Sequence, residues 1–478
     1  MHLAKQTGTH ICGMEEEQAL FSSSGTQLPP AEAGDYASLL WDDGVIADAF
    51  RFSNAHHDTI DDRKSLYDFF EEKAESMWQD EPADVAKVKR PRFLQATRVW
   101  GAYVGSDVRK QSLKFFWLEE CIEGENPFVS GTYARILDRV SASARRSADI
   151  RLNTKVTGVV SDEGGDPASF RQPQLQLADG SKHDFDEVVV TCPLGWLKRN
   201  HKTTFRPVLP LRLSRAIDSI GYGTLDKVYI TFPCAFWDTP HTYQHASTAN
   251  VTGSVDPQHK TPNVAATSAP LHQPSAREIS GLAQGEEEHY PTFMHWLPPS
   301  YAAAEANTGE WDQQAMNFAA LSPSSCAHPT LLFYTYGDCS KHISNLIADA
   351  RSPSARDGAL IDFFQPFFSR LPNYDSRMSA CKPSAVLATN WASDEFAGYG
   401  SYANFQVGLQ EGDKDVECMR RGMPERGVWF AGEHTAPFVA LGTSTGAWWS
   451  GEGVGQRIAR AYGIASEAVK DHGEPEGV

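Results

Sequence analysis

The sequence predicts a mixed α/β fold, on three observations. Short β-branched and aromatic runs, Val188-Val189-Val190 and Val428-Trp429-Phe430, read as buried strands. Stretches at helical spacing accompany them: Leu66, Phe69, Phe70, Ala74, Met77 and Trp78 mark one face of an amphipathic helix. The chain has 478 residues, 41% hydrophobic and 11% aromatic, enough core material for two domains or more.

Charge and cysteine usage narrow the partners. A formal net charge of −18 argues against a nucleic-acid backbone or an anionic membrane surface and is compatible with a cationic substrate, although many soluble proteins are simply acidic. The eight cysteines, at 12, 121, 192, 234, 326, 339, 381 and 418, show no CxxC and no paired spacing with histidine. They read mostly as buried reduced thiols, with no metal site. Met1-His2-Leu3-Ala4-Lys5 lacks a signal-peptide core, and no run approaches the ~18 apolar residues of a membrane span. The expectation is an intracellular, cytoplasmic protein, with peroxisomal or nuclear location left open.

Taken in order, the helix marked by Leu66 is followed by a second helical run over about Ser106 to Cys121. Gly131 to Leu137 opens a third helix. Asp149 to Val156 alternates as a strand, with Leu175-Gln176-Leu177-Ala178-Asp179-Gly180 as its hairpin partner. The three valines lead into Thr191-Cys192-Pro193, a strand buried on both faces. Gly223 to Phe232 is another strand, placing Leu225, Lys227, Tyr229 and Thr231 on one face and Val228, Ile230 and Phe232 on the other. By its residues alone Lys227 is an ordinary solvent-facing lysine. Thr239 to about Tyr290 is a polar insertion, followed by a strand at Thr330 to Gly337 and a helix carrying Leu360, Phe364, Phe367 and Leu371. Val428 to Gly432 then ends in a tight turn, and Ala447, Gly451, Val454, Ile458 and Ala461 fall at helical spacing. The helix opening near Gly446 offers free N–H groups and a positive dipole end.

The segment Phe430-Ala431-Gly432-Glu433-His434-Thr435, followed by Gly442-Thr443-Ser444-Thr445-Gly446-Ala447, resembles the C-terminal flavin-binding segment of the flavin-containing amine oxidases. That family includes polyamine oxidases, monoamine oxidases and lysine-specific histone demethylases. The pattern Leu225-Asp226-Lys227-Val228, completed by Phe236-Trp237-Asp238, is similar to the family segment whose lysine holds a water against the flavin. Asn390 to Phe396 and Gly400-Ser401-Tyr402 resemble its aromatic segment beside the isoalloxazine ring.

The resemblance implies an incomplete FAD-binding, Rossmann-like domain plus an amine-oxidase substrate domain, FAD as cofactor, and a small cationic amine and molecular oxygen as partners. Implied cofactor neighbours are Val156, Cys192, Pro193, Trp391, Phe396, Gly432, Glu433, Gly442, Thr443 and Ser444. Lys227 is the implied catalytic residue, and Tyr402, Thr443 and Trp448 the substrate walls. The implied FAD-binding segments are 131–205 and 386–465. The substrate domain takes most of 1–130, after an N-terminal remnant, and 206–385, and 466–478 is a tail. The family's opening strand, GxGxxG turn and helix are not matched. Gly398-Tyr399-Gly400-Ser401-Tyr402-Ala403 has glycines near that spacing but follows Asp394-Glu395-Phe396 and not an apolar strand, so it reads as a loop. The chain as given is therefore expected to hold FAD poorly.

Overall fold

The computed structural model describes residues 2–464 apart from positions 15, 121, 123–126, 162–171, 239–288 and 304–305. Cys121, nearly all of the polar insertion and the 466–478 tail lie outside the described residues. In chain order the strands are β1 Gln18–Phe21, β2 Val156–Val160, β3 Gln174–Leu177, β4 Lys182–Asp184, β5 Val188–Val190, β6 Phe205–Arg206, β7 Gly221–Tyr222, β8 Leu225–Thr231, β9 Phe293–Trp296, β10 Gln313–Asn317, β11 Thr330–Tyr336, β12 Ala385–Ala388, β13 Ala403–Asn404 and β14 Val428–Phe430. With the helices around them they make the mixed α/β architecture the sequence predicts.

The largest sheet has the order β1-β9-β10-β11-β8-β12, with β1 parallel to β9 and the other pairings antiparallel. Alternation gives β8 two unlike faces. Val228, Ile230 and Phe232 join Phe21, Trp296 and Phe333 in a dry core, over which the helix Pro353–Phe368 lays Leu360, Phe363, Phe364 and Phe367. Each fully buried side chain of this size contributes roughly 1.5–3 kcal/mol, so this layer fixes the position of β8. The other face carries Lys227, Tyr229 and Thr231, all half-buried.

A second core forms where β5 pairs in parallel with β14, uniting Val188, Val190 and Phe430 with Leu194, Leu197, Phe205 and Phe405. A third is helical. Ser65 caps the helix Leu66–Ser76 in a capping box with Asp68, and Leu66, Phe69, Phe70 and Ala74 turn inward as expected.

Five expectations need correction. Ser106 to Glu120 is not a helix: Asp107 accepts from the Arg109 backbone and Ser112 Oγ from the Phe115 N–H, so local side chains take the hydrogen bonds a helix would need. Only a 3-10 turn, Phe116–Glu119, remains. The strand placed at Asp149–Val156 begins at Val156, because Asn153 adopts φ 56° and breaks the extended run. Its pairing with β3 is as expected. The valine strand is not covered on both faces: Val189 is 39% exposed, since the helix Ser444–Ala461 packs over Trp429 and leaves Val189 open. That helix buries Gly446, Ser450 and Val454, not Ala447 and Gly451, because the Gly446 Cα sits against Ala440, where a Cβ would lie 1.9 Å from the carbonyl oxygen. Finally, Cys12 and Cys326 form a disulfide, brought together by the pairing of Cys12 with Phe128 and Gly13 with Ser322. Cys192, Cys234, Cys339, Cys381 and Cys418 are free thiols, as expected.

Candidate functional site around Lys227

Lys227 stands opposite Tyr334 in the β8–β11 register, and its Nζ lies 5.4 Å from that ring's centroid. Burial pushes the ammonium below its ordinary pKa, and among the described residues no carboxylate lies within ion-pair distance of it. A half-buried, uncompensated amine of this kind is where perturbed chemistry is found.

The segment after β12 is built onto the same strand. The Lys227 N–H donates to Thr389 Oγ1 (2.8 Å), which donates to Asp226 Oδ1 (2.8 Å), and the same oxygen accepts the Trp391 N–H (2.8 Å). Thr389, Asn390, Trp391, Ser393 and Asp394 line a hollow of about 390 Å³. Further along, the Tyr222 hydroxyl donates to the Ala397 carbonyl (2.7 Å). Gly398 approaches Gly195 so closely that a Cβ on Gly195 would lie 2.1 Å from its carbonyl oxygen. Lys155 reaches Glu395 at 3.6 Å. Three elements of the sequence analysis therefore converge on this segment: Lys155 beside Val156, Cys192 and Pro193 just before Gly195, and the β8 strand.

Glu433 closes the far side. Gly432 turns the chain at φ 155°, and the Glu433 carboxylate accepts the Ala403 N–H at 3.1 Å. A Cβ on Gly442 would meet the Tyr402 ring at 3.4 Å, so Gly442 and Tyr402 are neighbours. Thr443 Oγ1 accepts the Gly446 N–H and caps the helix Ser444–Ala461. The Tyr402 hydroxyl donates to the Tyr103 carbonyl. Burial pushes Glu433 up to about 7 and His434 down to about 4. Glu433 Oε2 and both His434 ring nitrogens are buried without a hydrogen-bond partner among the described residues.

The predicted residues differ in exposure. Cys192 is half-buried, its thiol pushed up by burial. Trp391 is 44% exposed, Trp448 41% and Phe396 87%, so these rings present open apolar faces and do not pack on one another. Ser444 is exposed at the helix start.

Sequence reasoning missed Asp226, Thr389, Tyr334 and Glu119. Asp226 had a readable signal, since it falls in phase with Val228 and Ile230 on the dry face of β8, where an acid requires donors. Tyr334 and Glu119 had none, because their relation to Lys227 and Glu433 exists only between segments distant in the chain.

The chain belongs to a known family. The chain matches the family model for flavin-containing amine oxidoreductases over residues 46–287 and 298–459, and it is a member of that family. A lysine-specific histone demethylase 1B homolog of Caenorhabditis elegans is 34% identical over 116 residues, 24% of this chain and 13% of that protein. Histone demethylase-like protein A of Aspergillus fumigatus is 34% identical over 321 residues, 66% of this chain and 23% of its own length. Polyamine oxidase 4 of Oryza sativa is 29% identical over 136 residues, 28% of this chain and 26% of its own. The chain thus spans at most 26% of the length of these three relatives. In three dimensions it is similar to a cyclohexylamine oxidase from Brevibacterium oxydans IH-35A, with a TM-score of 0.59 and 15% identity, covering 97% of this chain and 85% of that one. At that identity the likeness concerns the fold.

Proposed function

We propose that this chain is an FAD-dependent amine oxidase acting on the C–N bond of a primary or secondary, polyamine-like amine. The observation that carries the reading is Lys227: a half-buried lysine with no carboxylate in ion-pair distance among the described residues, its backbone N–H linked through Thr389 and Asp226 to the Trp391 segment, in a chain of this family.

The residues present fit the flavin end of such a cofactor. Gly432, Glu433, Gly442, Thr443 and Ser444 would hold it at the capped helix start, where free N–H groups and the positive dipole end favour an electron-rich group. The buried Glu433 carboxylate, held by the Ala403 and Gly442 N–H groups, would lie beside it. Val156, Cys192 and Pro193 would run along it, and the exposed faces of Trp391 and Phe396 would border its ring. FAD, when bound, supplies the two-electron acceptor, with oxygen as the final acceptor and hydrogen peroxide as product. Lys227 would donate to a water above the ring, and water hydrolyses the imine product to an aldehyde and a free amine. Tyr402, Thr443 and Trp448 would bound the amine, the aromatic faces attracting it when protonated.

The printed names of the relatives cover both polyamine oxidases and histone demethylases. Free polyamine is the first substrate class in this reading and a lysine side chain the next. The test is the absorbance spectrum of the purified chain after FAD addition, with peroxide release on spermine, spermidine and a methyl-lysine peptide. Bound flavin with no peroxide on any amine overturns the assigned activity.

A second reading, a non-catalytic chain that does not retain FAD, is favoured by the exposure of Phe396 and Val189 and by the loop geometry of Gly398 to Ala403. Among the described residues no GxGxxG turn joins a strand to a helix. A folded protein that binds no flavin would support this second reading.

A further inference from the structure

Where β12 ends, the chain must leave the sheet. Its last paired residue, Ala388, faces Val228, and the chain then turns away through Thr389 and Asn390 into the 3-10 turn Trp391–Ser393. Backbone groups that leave a ladder need other partners. Here Thr389 N–H still reaches the Lys227 carbonyl at 2.9 Å, and after that the ladder is continued by a side chain.

That side chain is Asp226, which is fully buried. Its Oδ1 accepts from Thr389 Oγ1 and from the Trp391 N–H, each at 2.8 Å, and its Oδ2 accepts from Ser340 Oγ at 2.6 Å. Among the described residues no cation pairs with it. A buried, unpaired carboxylate is costly unless donors saturate it, and this one meets three. Two of the three come from the segment that carries Trp391. The third comes from the helix Gly337–Asp349, on the other side.

We propose that Asp226 is a positioning residue: it clamps Trp391 to the strand of Lys227, so that the aromatic wall and the lysine keep one fixed separation. The proposal rests on the reading of Trp391 as a flavin neighbour for its consequence in turnover, but the clamp itself does not. Lys227 and Trp391 are then joined through only two intervening groups, the Thr389 hydroxyl and the Asp226 carboxylate. A shift of the segment would move the wall relative to the lysine, and reacting groups tolerate little misplacement.

Four variants test it: Asp226→Ala, Asp226→Asn, Thr389→Val and Ser340→Ala. Asparagine keeps an acceptor for Thr389 and Trp391, while Ser340→Ala removes a donor of the same carboxylate that does not touch the segment. The first readout, on the full chain without added flavin, is hydrogen exchange at the Trp391 amide. A hydrogen bond to a charged group is worth about 1.5–3 kcal/mol, so exchange should quicken about 10- to 100-fold in Asp226→Ala, clearly in Thr389→Val, and little in Asp226→Asn and Ser340→Ala. The second, on flavin-loaded protein, is the split between kcat and KM together with the flavin absorbance band. Asp226→Ala and Thr389→Val should lower kcat about tenfold or more with a smaller change in KM and shift the band, and Asp226→Asn should recover most of both. If Asp226→Ala does not fold, the contrast between Thr389→Val and Ser340→Ala decides. Equal effects of those two on exchange, or an unprotected Trp391 amide in the unaltered protein, overturn the clamp. A protein that takes up no flavin but shows the exchange pattern keeps the clamp and removes the proposed function.

Discussion

Replacing Glu119 by glutamine should make the protein more stable, and more so as pH rises. Glu119 ends the 3-10 turn Phe116–Glu119, its carboxyl oxygen Oε1 is shut off from solvent, and burial, opposed by the Phe405 N–H and aided by nearby Glu433, pushes its pKa from 4.5 up to about 8. A folded state that holds its proton more tightly than the unfolded chain gains stability from that proton below pH 4.5 and loses it as pH rises toward about 8. Each pH unit across that window costs about 1.4 kcal/mol, so by pH 7 the loss is roughly 3 kcal/mol. Glutamine cannot ionise and keeps an oxygen for the Phe405 N–H. The variant should therefore match the parent near pH 4.5 and exceed it by roughly 3 kcal/mol at pH 7. Urea unfolding at pH 5, 6, 7 and 8, followed by tryptophan fluorescence, measures the difference. A gap that stays constant with pH would refute the reasoning. Glu433, pushed up to about 7, adds a slope of the same sign, and the two are near enough that their effects will not simply add.

The remaining predictions are shorter. Lys227→Met should leave the fold intact, since the side chain is half-buried and among the described residues makes no ion pair, and should slow peroxide release from saturating amine in flavin-loaded protein; equal rates would remove its role. Gly195→Ala should lower the thermal midpoint and flavin uptake together, because its Cβ would sit 2.1 Å from the Gly398 carbonyl oxygen and 2.5 Å from the Tyr222 ring. An unchanged melting curve would show that the two segments separate freely. With a net charge of −18, raising ionic strength should slow association of a polyamine; a salt-independent rate in stopped flow would rule out steering.

Much of this protein was legible in the residues themselves. Period-two alternation settled the two faces of β8, and three- and four-residue spacing settled the inward faces of Leu66–Ser76 and Pro353–Phe368, because those patterns need only local geometry and the exclusion of water from apolar side chains. The segment Phe430 to Ala447 marked the family without any structure. Where local side chains compete for backbone hydrogen bonds, as at Asp107 and Ser112, helical spacing misled.

Tertiary structure decided what lies across strands and what remains uncovered. No pattern in the chain could tell that Val189 and Phe396 face outward, since burial depends on what other elements cover. Nor could it tell that Tyr334 stands opposite Lys227, or that Glu119 and Glu433 both hold backbone N–H groups of the Ala403-to-Phe405 segment, since such contacts are set by distant pairing. The sequence alone determined which residues are chemically able to act. Only the fold decided that Asp226, one residue from Lys227 but on the opposite face, would be dry and would spend its charge on Thr389, Trp391 and Ser340, because a buried carboxylate must find donors wherever folding brings them.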